Sequence, residues 1–156
     1  LYRIGCRLQL TEVESHADGT FDVVAVARER IELRSLDSTG TFPVGQVVDR
    51  PDPTRAVPEE VLERARAAFV AYRAALADLR SDPYESTLPR DPTYLSWTLA
   101  ALAPLPMSER QSLLEAEDAT QRLTLLVDLL RAELRAMNVI PSLPATEVAR
   151  TRWSPN

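Results

Sequence analysis

The chain has 156 residues, a formal net charge of −5 and a pI near 5.0, so on average it repels a phosphate backbone and nucleic acid is not an expected partner. All 18 basic residues are arginine; without lysine a P-loop, a Ser-Lys dyad and a Schiff base are excluded, because a guanidinium stays protonated and cannot act as nucleophile or base. His16 and Cys6 are each alone in type and the four glycines are isolated, so a zinc site, a phosphate-cradling loop and any other cofactor are unexpected.

Residues 2 to 13 alternate, with Tyr2, Ile4, Cys6, Leu8 and Leu10 on one face and Arg3, Arg7, Gln9 and Thr11 on the other. That period of two predicts a half-buried strand, with Cys6 as a buried packing residue and His16 in a solvated turn. Asp18-Gly19 supplies the positive φ of a tight hairpin. The next run keeps the alternation, placing Phe21, Val23, Ala25, Ala27, Ile31 and Leu33 on one side; Glu29 interrupts that side and marks a bulge or a barrel rim. A third strand is predicted over Phe42 to Val48, after the Ser38-Thr39-Gly40 turn, and the prolines at 51 and 53 end the β region.

After Pro53 the period changes to 3.6, which predicts a sheet followed by helices, an α+β chain. Pro58 suits N1, Glu59 and Glu60 complement the helix dipole, and Leu62, Ala65, Phe69, Tyr72, Leu76 and Leu79 form one apolar stripe on a helix ending near Ser81-Asp82-Pro83. Asp91-Pro92 caps a second helix whose apolar residues, Tyr94 through Leu102, surround it almost completely and predict a buried centre. A short helix follows from about Pro106 to Glu115. Asp118 and Gln121 then form a capping-box pattern ahead of a last helix bearing Leu123, Leu126, Leu130, Leu134 and Met137 and ending at Asn138. These boundaries divide the chain into a β part (1–53), a helical bundle (54–138) and a mobile tail (139–156).

Three segments carry a resemblance: YRIGCRLQLTEVESHADGTFDVVAVARERIEL, with Arg30-Ile31 near its end, TFPVGQVVDRPD, and DPTYLSWTLAALAPLPMSERQSLLEAEDATQRLTLLVDLLRAEL. In order and spacing they resemble the amino-terminal substrate-recognition domain of ATP-dependent Lon proteases, which also occurs in stand-alone bacterial proteins. The resemblance implies a PUA-like β-barrel followed by a helical bundle, and a role in holding unfolded or tagged polypeptides as an adaptor for proteolysis. The family has strands upstream of this point, whereas the chain begins at Leu1 already entering a strand, so an incomplete barrel with an open edge, and self-association through that edge, are expected.

The expected function is therefore a non-catalytic, cytoplasmic recognition module. Its partners are polypeptide substrates or a protease or chaperone, not nucleic acid and not membrane, since no apolar run is long enough to span a bilayer. Phe69, Tyr94 and Trp97 are candidate polypeptide contacts, because aromatic rings supply large contact areas, although each also lies on an apolar helix face where core packing would use it. An RNA-binding PUA-like module is the alternative. Against it stand the acidic pI and the interleaving of arginines with Glu and Asp, as in RERIELR. The acidic pairs Glu59-Glu60 and Glu115-Glu117 read as solvated carboxylates at helix ends or in loops, so no enzyme is expected.

Overall fold

A computed structural model describes residues 1–79 and 87–139, with the side chains of residues 78, 79, 138 and 139 left aside. The chain divides into two compact units, Leu1–Pro51 and Asp52–Asn156. The first unit is a three-stranded antiparallel sheet in the order β1 (Ile4–Ser15), β2 (Phe21–Asp37), β3 (Val44–Asp49). The second holds α1 (Glu59–Leu79), α2 (Pro92–Leu102), α3 (Met107–Glu115) and α4 (Ala119–Val139). Sheet first and helices after make the chain α+β.

Both strand connections are closed by the same device. Gly19 takes φ +86°, and the Asp18 carboxylate accepts from the Thr20 amide at 3.0 Å and its hydroxyl at 2.7 Å. Asp37 does the same for Thr39, at 2.9 and 2.6 Å. These bonds favour the ionised form, the hydroxyl bond most, and hold both carboxyls below the usual aspartate range.

The β1–β2 register slips where Glu29 was expected to interrupt it. Cys6 pairs with Arg30 but Leu8 with Ala27, so Arg28 and Glu29 together oppose Arg7. An extra residue reverses the pleat, so Ile31 and Leu33 point to the face opposite Phe21, Val23, Ala25 and Ala27. The single apolar side assigned to β2 is thus two half-sides. Arg7 bridges the bulge, donating to Glu29 at 2.6 Å and to Asp49 of β3 at 2.7 Å.

The half-buried strand expected over residues 2 to 13 is exposed along most of its length. Leu8, Leu10, Val13, Phe21 and Val23 are 56 to 62 % exposed, and Cys6 is exposed where burial was expected. The physical reason is the lack of a second layer within the unit: a sheet buries a face only against another packed element, and here only Ile4 and Arg30 are buried among the described residues of the unit. His16 lies beside Asp22 across the turn, Nε2 to Oδ2 3.0 Å. Three strands leave the sheet open, with β1 and β3 as its outer strands.

The helical unit has a continuous core. The α1 stripe is buried at Leu62, Ala65, Phe69, Tyr72 and Leu76, and it meets Leu123, Leu126, Val127 and Leu130 of α4, with Leu95 and Leu99 of α2 completing the cluster. Pro58 precedes α1, its carbonyl accepting from the amides of Val61 and Leu62, so it stands at the cap and not at N1. Helix α2 is buried on one side only, at Leu95, Ser96 and Leu99, while Tyr94 and Ala101 face outward. Its apolar residues are more numerous than the positions that meet a neighbour. Helix α4 runs through Asn138 to Val139, so Asn138 is helical and takes no left-handed cap. The expected end of α1 near residues 81–83 and the tail after residue 139 lie outside the described residues.

Candidate functional site

Between Pro51 and α1 the chain runs along the helical unit as a strap with neither helix nor strand, residues 52–57. Proline at 51 and 53 fixes φ and removes two amide donors, which stops β3 from continuing and leaves the segment without ladder bonds. Asp52 begins the strap and reaches inward. One carboxylate oxygen accepts from Arg122 Nη2 at 2.7 Å; the other accepts from Arg122 Nη1 at 3.2 Å and from Trp97 Nε1 at 2.8 Å. This fork-to-fork geometry is the one a guanidinium matches best.

Arg122 is fully buried, at 0 % exposure. Besides Asp52 it donates to Ser96 Oγ at 2.8 Å and, through Nε, to the Leu113 carbonyl at 3.2 Å, and its guanidinium lies 3.4 Å from the centre of the Trp97 ring. Each element contributes for a local reason. Asp118 caps α4 by accepting from the Gln121 amide at 2.9 Å, while Gln121 Oε1 accepts from the Glu117 amide, one residue before the position a capping box uses. That start sets Arg122 one turn ahead of Leu126 on the buried face. Asp91 caps α2 through the Tyr94 amide at 2.8 Å, setting Ser96 and Trp97 toward the arginine.

Beside this cluster an open groove runs between strap residues 52–56 and residues 91–94 at the start of α2. Its surface is mostly apolar, from Pro53, Ala56, Pro92 and the ring of Tyr94, which is 72 % exposed. Arg55 stands at its rim, 3.6 Å from Asp118. The three aromatic candidates therefore part company. Tyr94 lines the groove, Trp97 lies behind it within the arginine cluster, and Phe69, 3 % exposed, packs in the core with the Arg73 guanidinium 6.0 Å from its ring. Phe69 is on the α1 stripe, where core packing uses it. Reading the sequence for aromatics missed Asp52 and Arg122. One signal was present: Arg122, Leu126 and Leu130 are spaced by four, which puts a charge in register with the core stripe.

Chemically the cluster is suited to positioning the strap. Both oxygens of its carboxylate accept hydrogen bonds, its guanidinium spreads its donors over Asp52, Ser96 and the Leu113 carbonyl, and no group of three or more His, Cys, Asp or Glu among the described residues could hold a metal.

Residues 1–132 match the family described as the ATP-dependent protease La (LON) substrate-binding domain. The chain belongs to that family. The match to the Lon substrate-binding family runs through the whole sheet and well into α4. Lon protease 2 of Syntrophobacter fumaroxidans is 29 % identical over 118 residues, covering 74 % of this chain and 15 % of that protein, so the chain spans only a small part of its relative's length. Among solved structures, a Lon N-terminal domain protein from Xanthomonas campestris aligns with TM-score 0.57 and 22 % identity, covering 81 % of this chain and 68 % of that one. The N-terminal domain of a Mycobacterium avium complex Lon protease gives TM-score 0.53 and 20 % identity, over 83 % and 70 %. At such identities the likeness speaks for the fold, a sheet followed by helices. No described helix is long and apolar enough to cross a membrane.

Proposed function

We propose that this Lon-family domain is a non-catalytic recognition module that holds unfolded or tagged polypeptides in the cytoplasm and acts as an adaptor for a separate protease or chaperone. The observation that carries the reading is the groove along residues 52–56 and 91–94, with an exposed Tyr94 on an apolar wall. An extended chain needs apolar contact area with few geometric demands, and a tyrosine ring offers both area and a polar edge. The family's description as a substrate-binding domain supports the same reading. The PUA-like relation of the sheet belongs to this proposal. So does the aromatic pair, Tyr94 as the contact and Trp97 as its support.

Against RNA stand the net charge of −5 and the interleaving of charge on the sheet, where Arg3 and Arg34 share Glu32 and Arg7 meets Glu29 and Asp49. Paired guanidiniums have little counterion-releasing charge left for phosphates. The test is binding of a permanently unfolded, fluorescently labelled client, followed by anisotropy against the same protein folded. Tyr94→Ala is expected to weaken binding of the unfolded client about tenfold, as loss of a contact aromatic does. Equal binding of folded and unfolded client, or none at all, would remove the proposal.

A further inference from the structure

The strap is held by an unusual means. Its exposed middle, residues 53–56, makes an internal backbone bond, Arg55 amide to Pro53 carbonyl at 2.9 Å, and the Arg55–Asp118 pair at 3.6 Å is solvated on the arginine side. An exposed ion pair of that kind contributes little. At one end Val57 packs against the core; at the other Asp52 enters it. The guanidinium that receives Asp52 is wholly buried, and its remaining contacts, Ser96 Oγ, the Leu113 carbonyl and the Trp97 ring, are neutral. The carboxylate that answers its charge comes from 70 residues earlier in the chain.

A buried cation without its anion is costly, so a strap displaced at Asp52 must either strand Arg122 in the core or pull it out to water. Both are high in free energy. The docked strap is in this way made all-or-none, although most of its own surface is solvated. We propose that Asp52 and Arg122 form a clasp that holds residues 52–57 on the helical unit, which makes Asp52 a positioning residue for the strap wall of the groove. Trp97 completes the clasp by covering the guanidinium while donating to the same carboxylate. The role given to the groove wall rests on the recognition reading above; the clasp itself does not.

Trypsin reads the strap directly, because Arg50 is followed by proline and resists cleavage, leaving Arg55–Ala56 as the cleavable bond within it. In the full chain, Asp52→Asn keeps the side-chain shape and removes the charge. The cut at Arg55, followed by mass, is expected about tenfold faster than in the wild type, with cuts at Arg131 and Arg135 of α4 unchanged. An unchanged rate at Arg55, or equal acceleration at Arg131, would overturn the clasp. Should Asp52→Asn not fold, Asp52→Ala with Arg122→Met removes both charges, is expected to fold, and is still expected to be cut fast at Arg55; wild-type cutting there would overturn the proposal equally. Binding of the unfolded client forms a separate arm. No binding by the wild type removes the recognition reading and leaves the clasp standing, whereas wild-type affinity in a variant already cut fast at Arg55 overturns the positioning role.

Discussion

At the scale of single residues the helical unit sets an unfavourable arrangement beside its favourable ones. Burial, and then the neighbouring charge of Glu109, push the Glu133 carboxyl above the usual glutamate range, and Glu109 Oε2 is itself buried without a hydrogen bond. A raised folded-state value means that the folded chain holds this proton at pH values where the unfolded chain has released it. Stability therefore falls as pH rises from the ordinary glutamate value through the raised one, and above that the ionised group is a standing cost. Glu133→Gln is expected to raise Tm at pH 7 while leaving it unchanged near pH 3, where both side chains are neutral; thermal melts at the two pH values check this. Arg122 shows the limit of reading single residues from sequence. Its place on the stripe with Leu126 is visible, but its partner Asp52 lies 70 residues away between two prolines, and no local pattern joins them.

At the scale of elements, boundaries were legible wherever local chemistry sets them. Asp91-Pro92 opens α2 as read, since a carboxylate acceptor followed by a residue without an amide suits the first turn of a helix. Asp91→Ala is expected to cost about 1 kcal/mol of helical-unit stability, measurable by urea unfolding followed at 222 nm. The strand positions were legible too, and so was the irregularity at Glu29. What the alternation could not give is the side on which Ile31 and Leu33 emerge, because one bulge residue shifts the pleat by one and the period on either side looks the same. The capping pattern at Asp118 was correct in its main bond and off by one residue in its return bond, a detail fixed by how the loop leaves α3.

At the scale of the whole molecule the two units differ in how they are held. Apart from Ile4, the buried apolar side chains among the described residues all belong to the helical unit, and each fully buried large one contributes about 1.5 to 3 kcal/mol. Residues 52–139 alone are therefore expected to keep helical circular dichroism and a cooperative melt, and residues 1–51 alone to show neither. A cooperative melt of the short fragment would contradict this. Sequence by itself determined the succession of strands and helices, the apolar stripes and the caps, because period, proline and capping chemistry act within a few residues. Tertiary structure alone decided which apolar faces are covered, which aromatic ring reaches solvent, and that a lone aspartate in a proline-rich connection meets a buried arginine, because those outcomes depend on which elements pack together.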